Sequence, residues 1–397
     1  MMKRHSHVLS ARWIVPVTSE PIHGGWVQIE AGRVVAFGAG PAPAPSQDLG
    51  DVAILPGLVN AHTHLEFSDC EETVGAPGIS LPDWIGKVVT TRRASDPTRR
   101  SVAIERGIRE LANTGTCLVG EITTPPCEYP VDTHGVDLIS FAEVLGLSVT
   151  RGKERLEVAG QHLGFDSGSG VSPHAPYSTS LETLDECLQL VTTQQRPLAM
   201  HVAESPHERE LLQAGTGPFA ESLKLMGVWR DDLFPWTENP FQMLIERLGK
   251  APRSLLVHGN DFNDSEIAKL SQHPQMTVVY CPRTHHFFQY EPHPVAEMLS
   301  QGVRVALGTD SRASNPDLNL WREAQFLWQC RVDLEPQVVL QMATWFGSEA
   351  LARNDLGCIR PGCLAKLGMV RSAASTVESL FGDFAQNDYE PLWHFAV

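Results

Sequence analysis

The chain has 397 residues, of which 42% are hydrophobic and 20% charged, and its formal net charge at pH 7 is −16. This length suffices for one large domain with an appendage or for two domains. Surfaces that follow nucleic-acid phosphates need clustered Lys and Arg, so the acidic balance argues against a nucleic-acid partner. Small molecules are the expected partners.

The chain opens with a basic segment, residues 1–5, but the apolar stretch after it is interrupted by Arg12 and Pro16. Neither a signal peptide nor a membrane span is therefore predicted, and we expect a cytoplasmic protein. None of the cysteines has C-x-x-C spacing, and most lie among apolar residues, which predicts reduced thiols rather than a disulfide framework or a zinc ribbon. The eight cysteines are Cys70, Cys117, Cys127, Cys187, Cys281, Cys330, Cys358 and Cys363.

The first 55 residues read as short β-like segments separated by Gly and Pro, which is typical of a small sheet, with a proline-rich loop at 41–45. From residue 55 onward, apolar strands and helices alternate, which indicates parallel βαβ units. Eight strands of this kind favour a closed barrel. They are predicted at 58–62, 117–122, 138–143, 170–174, 198–202, 254–258, 276–281 and 303–308.

Helices are predicted between these strands from apolar residues three or four positions apart, and one more follows residue 334. The predicted helices span 99–113, 180–193, 264–272, 294–301 and 337–352. The segment 364–370 is again β-like and is expected to rejoin the N-terminal sheet. The sequence thus predicts an α/β protein, with a (β/α)₈ TIM-like barrel over 56–352 and a small composite β-sandwich domain formed by 1–55 and 353–397.

Polar residues lie where several of the predicted strands end. In a (β/α)₈ barrel these ends carry the functional groups, because the loops there form one concave face. His62 and His64 are two apart on a strand, so their side chains share a face and can hold one cation. His201 and Asp310 would complete a set of three nitrogens and one oxygen, which suits Zn²⁺ first and Fe²⁺ second.

The motifs at these ends resemble those of the amidohydrolase superfamily, in the branch that holds cytosine, guanine and S-adenosylhomocysteine deaminases and triazine hydrolases. The resemblance covers nearly the whole chain, and its motifs are specific in combination. They are PGLVNAHTHL at 56–65, SPHAPYS at 172–178, HVAE at 201–204, VHG at 257–259, GTDS at 308–311 and ASN at 313–315.

The resemblance implies that His62, His64, His201 and Asp310 bind one divalent metal per chain. Some relatives hold two metals with a carboxylated lysine at the end of the fourth strand, but this strand ends in Ser172-Pro173-His174, so a mononuclear site is predicted.

Hydrolysis at such a site needs both a nucleophile and a proton carrier, and a divalent cation lowers the pKa of water toward neutrality. Asp310 is expected to take the proton from water, Glu204 to protonate a ring nitrogen and the leaving amine, and His258 to stabilise the tetrahedral centre. Glu204 could instead be an acid at a helix N-terminus, and His258 could be structural.

Substrate contacts are predicted at three residues. His174 faces the substrate or the attacking water, although a core histidine remains an alternative. Trp84, in the long loop after the first strand, would stack on a heterocycle unless it only packs. Arg283 would meet a carboxylate or ribose oxygen unless it is a surface arginine. Glu66, Glu121 and Glu143 also lie near strand ends and are left unranked.

The seventh-strand loop departs from the family pattern, since Tyr280 stands where relatives often have histidine and Thr284-His285 replaces a common Ser-Asn. The tail, at 361–367, also lacks the usual Gly-Lys then Ala-Asp-Leu stretch. These departures concern recognition and the small sheet rather than the chemistry.

The sequence predicts a metal-dependent hydrolase that deaminates an amino-substituted heterocycle, with water as co-substrate and a homo-oligomer as a possible state. The motif at 172–178 and the segment 65–68 resemble members that act on adenine nucleosides, aminofutalosine among them. A triazine-type chlorohydrolase or N-dealkylating hydrolase is the alternative within the family. A noncatalytic binding descendant is the alternative from another class, although such proteins usually lose ligands that are all present here.

Overall fold

A computed structural model describes residues 6–94, 99–164 and 168–393, so the basic opening segment considered as a signal peptide lies outside the described residues. The chain begins with five short strands punctuated by glycine turns. They are β1 (Ser6–Ile14), β2 (Ile22–Glu30), β3 (Arg33–Ala39), β4 (Gln47–Asp48) and β5 (Val52–Pro56).

The next eight strands form one sheet in which each strand pairs in parallel with the one that follows it in sequence. They are β6 (Leu58–Thr63), β7 (Thr116–Thr123), β8 (Asp137–Val144), β9 (Gly170–Pro173), β10 (Leu198–Val202), β11 (Ser254–His258), β12 (Met276–Tyr280) and β13 (Val305–Leu307). After the last strand, the backbone N–H groups of Thr309 and Asp310 donate to the carbonyl of His62 at 3.1 and 3.2 Å, which brings the end of the sheet back to its beginning. The predicted (β/α)₈ barrel is confirmed.

Most of the described helices lie between successive barrel strands in the sequence, and the last four follow β13. The helices are α1 (Leu81–Ala94), α2 (Arg99–Asn113), α3 (Val149–His162), α4 (Leu181–Gln194), α5 (Pro206–Ala214), α6 (Gly217–Leu225), α7 (Pro240–Leu248), α8 (Asp264–Leu270), α9 (Pro282–Phe288), α10 (Val295–Ser300), α11 (Leu320–Cys330), α12 (Pro336–Met342), α13 (Trp345–Ala350) and α14 (Val377–Phe384). The α2 helix buries Ile104, Ile108 and Leu111, which lie on one face, while strands such as β10 and β11 are buried along their whole length. No helix in the described part of the chain is long and apolar enough to cross a membrane.

The single helix predicted at 337–352 is wrong, because the structure divides it into α12 and α13. The carbonyl of Ala343 accepts a hydrogen bond from the backbone N–H of Val59 on β6, at 2.9 Å. Thr344, which follows, has non-helical backbone angles, with φ −139° and ψ −93°. A carbonyl taken by the barrel is no longer available to continue the helical hydrogen-bond ladder, so the helix restarts at Trp345.

The last two strands, β14 (Leu367–Arg371) and β15 (Tyr389–Pro391), return to the N-terminal strands. The resulting sheet has seven strands in the order β15-β14-β5-β1-β2-β3, with β4 beside β1, which confirms that the tail rejoins the N-terminal sheet. The domain boundaries at 55/56 and 352/353 stay a prediction. Only Gly57 separates β5 from β6, and a side chain there would lie 2.6 Å from the Cys117 sulfur, so the crossing point requires glycine.

Candidate metal centre and active site

The predicted functional side chains meet at one end of the barrel. His62 and His64 come from the end of β6, His201 from β10 and His258 from the last position of β11, whereas Asp310 follows β13. All five are at the C-terminal ends of parallel strands, which lie side by side in a closed barrel.

Four of these side chains bring potential metal-ligand atoms close together. The Nε2 atoms of His64 and His201 are 3.3 Å apart, and Asp310 Oδ1 lies 3.5 Å from His62 Nε2 and 3.7 Å from His64 Nε2. Both ring nitrogens of His62 are buried and have no hydrogen-bond partner among the described residues. A buried imidazole without a partner is costly unless a ligand satisfies it, so this donor set fits a divalent cation.

The charge states of the histidines suit metal binding. Burial is the largest cause that lowers the pKa of His62, His64 and His201, the last to about 4, and the neighbouring imidazoles lower these pKa values further. A neutral ring offers a lone pair to a metal, whereas a protonated ring does not. The three histidines are thus ready to act as ligands at neutral pH.

Hydrogen bonds orient two of the ligands. The Nδ1 atom of His201 donates to the carbonyl of His174 at 2.8 Å, which leaves Nε2 as the lone-pair nitrogen. Ser314 donates to Asp310 Oδ2 at 2.7 Å, so Oδ1 is the oxygen that faces His62 and His64. Ser314 stands in the quoted motif at 313–315, yet the sequence alone gave it no role.

Glu204 lies beside the ligands rather than among them. Its Oε1 atom is 3.5 Å from His258 Nε2, and the side chain is buried. Burial, and then the charges of Asp310 and Glu208, raise the pKa of Glu204 well above that of an ordinary carboxyl. A buried carboxyl with a raised pKa can hold and release a proton near neutral pH.

His258 belongs to two geometric relationships. Its ring nitrogen lies within 4.8 Å of ring nitrogens of His62 and His201, while its Nε2 atom also faces Glu204. The second group within the same distance consists of His62, His64 and Asp310. The two groups share His62, so the side chains of both groups lie next to one another.

The backbone at three of these strand ends is strained. Ala203, His258 and Asp310 have φ values of 55°, 76° and 54°, in the left-handed region that non-glycine residues rarely adopt. Each such residue costs of the order of 1–3 kcal/mol, and strain of this kind concentrates at functional sites. The free energy of folding must offset the cost of these three strained residues. Two of them, His258 and Asp310, are predicted functional residues.

Glu208 is a residue that sequence reasoning missed. Its carboxylate accepts the backbone N–H groups of Ala203 and Glu204, at 2.9 and 3.0 Å, and thereby fixes the turn that carries Glu204. Burial raises the pKa of Glu208 to about 8. The signal was present as Ser205-Pro206-His207-Glu208, a serine followed three residues later by glutamate at the start of α5.

His174 lies next to the metal ligands, with its ring centre 5.0 Å from that of His201. Its Nδ1 atom is 2.6 Å from Ser178 Oγ, and its Nε2 atom is 3.9 Å from Glu143 Oε1. These contacts fix the orientation of the His174 ring just after the end of β9. Glu143, unranked from sequence, is therefore placed beside a predicted substrate contact.

Trp84 is half-buried on α1, where its indole N–H donates to the carbonyl of Ala313 at 3.3 Å and its ring packs edge-on against Phe288 at 5.5 Å. Ala313 is three residues beyond Asp310, so Trp84 is anchored near the metal ligands. Its predicted stacking on a heterocycle stays a prediction.

Arg283 is held in an internal ion-pair network. Its Nε atom donates to Glu323 at 2.7 Å, Nη2 donates to Asp317 at 2.6 Å, and Asn315 accepts another hydrogen bond. Glu323 is fully buried, and Asn315 donates in turn to the carbonyl of Thr309 at 2.7 Å, just before Asp310. The structure thus does not bring Arg283 together with the other predicted site residues as a substrate contact; it links Arg283 to the backbone behind Asp310.

Replacing Arg283 by alanine is expected to lower the free energy of unfolding by about 3–5 kcal/mol, because it leaves the buried Glu323 carboxylate without its partner. Burial already raises the pKa of Glu323, and Arg283 opposes that rise. Without Arg283 the folded-state pKa is raised further above the unfolded value. The destabilisation should therefore be smaller at acidic pH and grow as the pH rises toward neutrality, as urea titrations at two pH values would show.

The matched control is Arg322→Ala, which removes an exposed ion pair with Asp388 and should cost only about 0–1 kcal/mol. Unchanged stability of Arg283→Ala, together with a raised KM for anionic substrates, would return Arg283 to the role of substrate contact.

Comparisons with known proteins agree with this geometry. The amidohydrolase family model matches residues 53–387, so the chain belongs to the amidohydrolase family and is a metal-dependent hydrolase.

Two curated relatives cover most of the chain. A 5-methylthioadenosine/S-adenosylhomocysteine deaminase from Nitratidesulfovibrio vulgaris is 27% identical over 406 residues, which span 94% of this chain and 85% of the relative. An aminodeoxyfutalosine deaminase from Deinococcus radiodurans is 29% identical over 327 residues, which span 78% and 76% of the two chains. Among solved structures, the Helicobacter pylori aminofutalosine deaminase in complex with methylthio-coformycin has a TM-score of 0.84 at 20% identity and 97% coverage of both chains.

Proposed function

We propose that this protein is a hydrolytic deaminase of an adenine nucleoside. The observation that carries the proposal is the placement of Glu204, a buried carboxyl with a raised pKa that faces His258 and belongs to neither group of potential metal ligands. Deamination of an adenine ring needs a proton on a ring nitrogen and then on the departing amine, and one acid at this position can supply both.

The curated relatives support the choice of adenine. The two described above are named for 5-methylthioadenosine, S-adenosylhomocysteine and aminodeoxyfutalosine, and each of these names denotes a purine nucleoside with a different group at the 5′ end. The variable end would lie away from Glu204, because only the adenine ring takes part in the reaction. An adenine nucleoside is thus the common substrate class.

His62, His64, His201 and Asp310 would hold the metal, for which we propose Zn²⁺ because three imidazoles and one carboxylate suit it. When bound, the cation lowers the pKa of water and so supplies hydroxide at neutral pH. Asp310, whose Oδ2 atom accepts a hydrogen bond from Ser314, accepts the proton of the attacking water.

Glu204 acts on the nitrogens of the substrate, and its neighbour His258 acts on the attacking oxygen. Glu204 carries a proton to the ring nitrogen and later to the amine, while His258 donates a hydrogen bond to the oxygen that attacks. His174, held by Ser178 and adjacent to Glu143, is positioned to contact the sugar or the ring. We assign no substrate contact to Arg283, because its donors are engaged with Glu323, Asp317 and Asn315.

The test is a panel of compounds assayed for ammonia release by the metal-replete enzyme. It should include adenosine, methylthioadenosine, S-adenosylhomocysteine and aminodeoxyfutalosine, with cytosine, guanine and a chlorotriazine as comparators. We expect one of the adenine nucleosides to have the highest kcat/KM. The Glu204→Gln protein, purified in the same way, controls for contaminating deaminases.

Three outcomes would count against the nucleoside proposal. Ammonia release from guanine or cytosine alone would preserve the deaminase chemistry but change the substrate class. Turnover of the triazine alone would establish the alternative within the family. No turnover of any compound by protein that contains its metal would favour the noncatalytic alternative.

A further inference from the structure

Two of the eight thiols are in direct contact. The sulfur atoms of Cys358 and Cys363 are 3.6 Å apart, and each residue is only 2% exposed. Both lie in the segment between α13 and β14, far along the chain from the strand ends that carry the metal ligands. The mechanism uses neither of them.

The backbone holds the two sulfurs in this position. Cys363 donates its N–H to the carbonyl of Arg360 at 3.0 Å, which closes a tight turn, and Gly362 adopts a φ of +92° that favours glycine. Two backbone hydrogen bonds join the turn to Val34 of β3. Gly362 N donates to Val34 O at 2.8 Å, and Val34 N donates to Cys363 O at 2.9 Å. A disulfide has an S–S distance of about 2.05 Å, so bond formation requires a small approach of two side chains that already face each other.

The two thiols differ in acidity. The hydrogen bond from Cys358 lowers the pKa of Cys363, and the charge of Arg360 acts in the same direction, although burial opposes both. The same hydrogen bond, together with burial, raises the pKa of Cys358. Cys363 is therefore the more acidic thiol of the pair and the one that more readily forms a thiolate, the reactive form of cysteine.

We propose that Cys358 and Cys363 form an oxidation site that closes to a reversible disulfide. A peroxide is the oxidant: the Cys363 thiolate attacks one peroxide oxygen, the O–O bond breaks, and a sulfenic acid and hydroxide result. The Cys358 thiol then displaces water from that sulfenic acid as the S–S bond forms. The two thiols lose two electrons in total, and one hydrogen peroxide becomes two waters. A small oxidant is required because both sulfurs are buried.

The consequence concerns the sheet formed by the chain ends rather than catalysis. The same segment is bound to N-terminal strands and turns by the bonds Ile359 N to Pro16 O at 3.1 Å and Ala365 N to Gly32 O at 2.8 Å. A disulfide within it would fix the turn that docks the C-terminal segment onto the N-terminal sheet. Oxidation should therefore raise the melting temperature and leave the metal content and turnover unchanged.

The test treats reduced, folded protein with hydrogen peroxide and then blocks the remaining thiols with an alkylating agent in denaturant. The wild-type protein should keep six of its eight alkylatable thiols, a loss of two. Trypsin does not cleave between Arg360 and Pro361, so one peptide, 354–366, carries both cysteines. That peptide should be lighter by two hydrogen masses, and dithiothreitol should restore it.

Matched variants separate this site from general oxidation. Cys187→Ser, which removes another buried cysteine, should still give the lighter 354–366 peptide. Cys358→Ser should give oxygen addition at Cys363 instead of a disulfide, and Cys363→Ser should leave Cys358 unmodified. Eight alkylatable thiols in peroxide-treated wild-type protein, or a disulfide that joins other cysteines, would overturn the proposal. The readout is the thiol count, so the result is independent of whether the protein deaminates nucleosides.

Discussion

His201→Ala protein is expected to lose its metal and, with it, activity by on the order of 10³-fold or more, because a Lewis-acidic cation contributes several kcal/mol to such reactions. The His201 Nε2 atom is 3.3 Å from His64 Nε2, and its Nδ1 atom is engaged with the carbonyl of His174, so a smaller side chain leaves one ligand position empty. Elemental analysis should give about one metal per chain for the wild-type protein and far less for the variant.

Substitutions of two other histidines serve as comparisons for His201→Ala. His23→Ala alters an exposed histidine on β2 and should keep both metal and rate. His258→Ala should keep the metal but lose rate, since we assign His258 to the reaction and not to the ligand set. Two metals per wild-type chain, or a full metal content in the His201 variant, would contradict the assigned site.

Glu204→Gln should retain fold and metal but lose on the order of 10² to 10⁴ in kcat, because an amide of the same shape cannot exchange protons with the substrate. Glu204 is buried beside His258, so the substitution preserves packing while removing the ionisable group. Steady-state kinetics with the best nucleoside of the panel, together with metal analysis of the same sample, would measure both quantities.

Glu210→Gln is the control for this change. Glu210 is an exposed acid on α5, the helix that begins two residues after Glu204, and its substitution should leave kcat within a small factor of wild type. A near wild-type rate for Glu204→Gln would reassign the proton carrier, with His258 as the next candidate.

Much of this fold was predictable because the signals are local and repeated. The strands β10 and β11 begin and end at the predicted residues, as their apolar runs are bounded on both sides by polar or turn residues. The split between α12 and α13 was not predictable, because it depends on a bond from Val59, nearly 300 positions earlier in the chain. Apolar periodicity continues across Ala343 and carries no information about that distant donor.

The difference between local signals and long-range contacts also decides which parts of the candidate site were predictable. The four predicted ligands come from motifs at strand ends, where residue type and position carry the signal, and the structure brings their side chains together. The internal contacts of Arg283 were not predictable, because its partners Asp317 and Glu323 follow it by 34 and 40 positions and nothing in the sequence pairs them. The contact between Ser314 and the second oxygen of Asp310 is visible only in three dimensions. The serine-to-glutamate spacing before α5 draws attention to Glu208, but it does not show that the carboxylate accepts the N–H groups of Ala203 and Glu204.

The single glycine between β5 and β6 connects the sheet formed by the two chain ends directly to the first strand of the barrel. β5 lies inside the seven-stranded sheet, between β14 and β1, and Gly57 is itself bonded to the carbonyl of Lys366 at 2.7 Å. Five residues later the same run of chain delivers His62. The sheet formed by the chain ends therefore holds the start of the strand that carries His62, one of the proposed metal ligands. We expect truncation at either terminus to weaken metal binding, although it removes none of the proposed ligands.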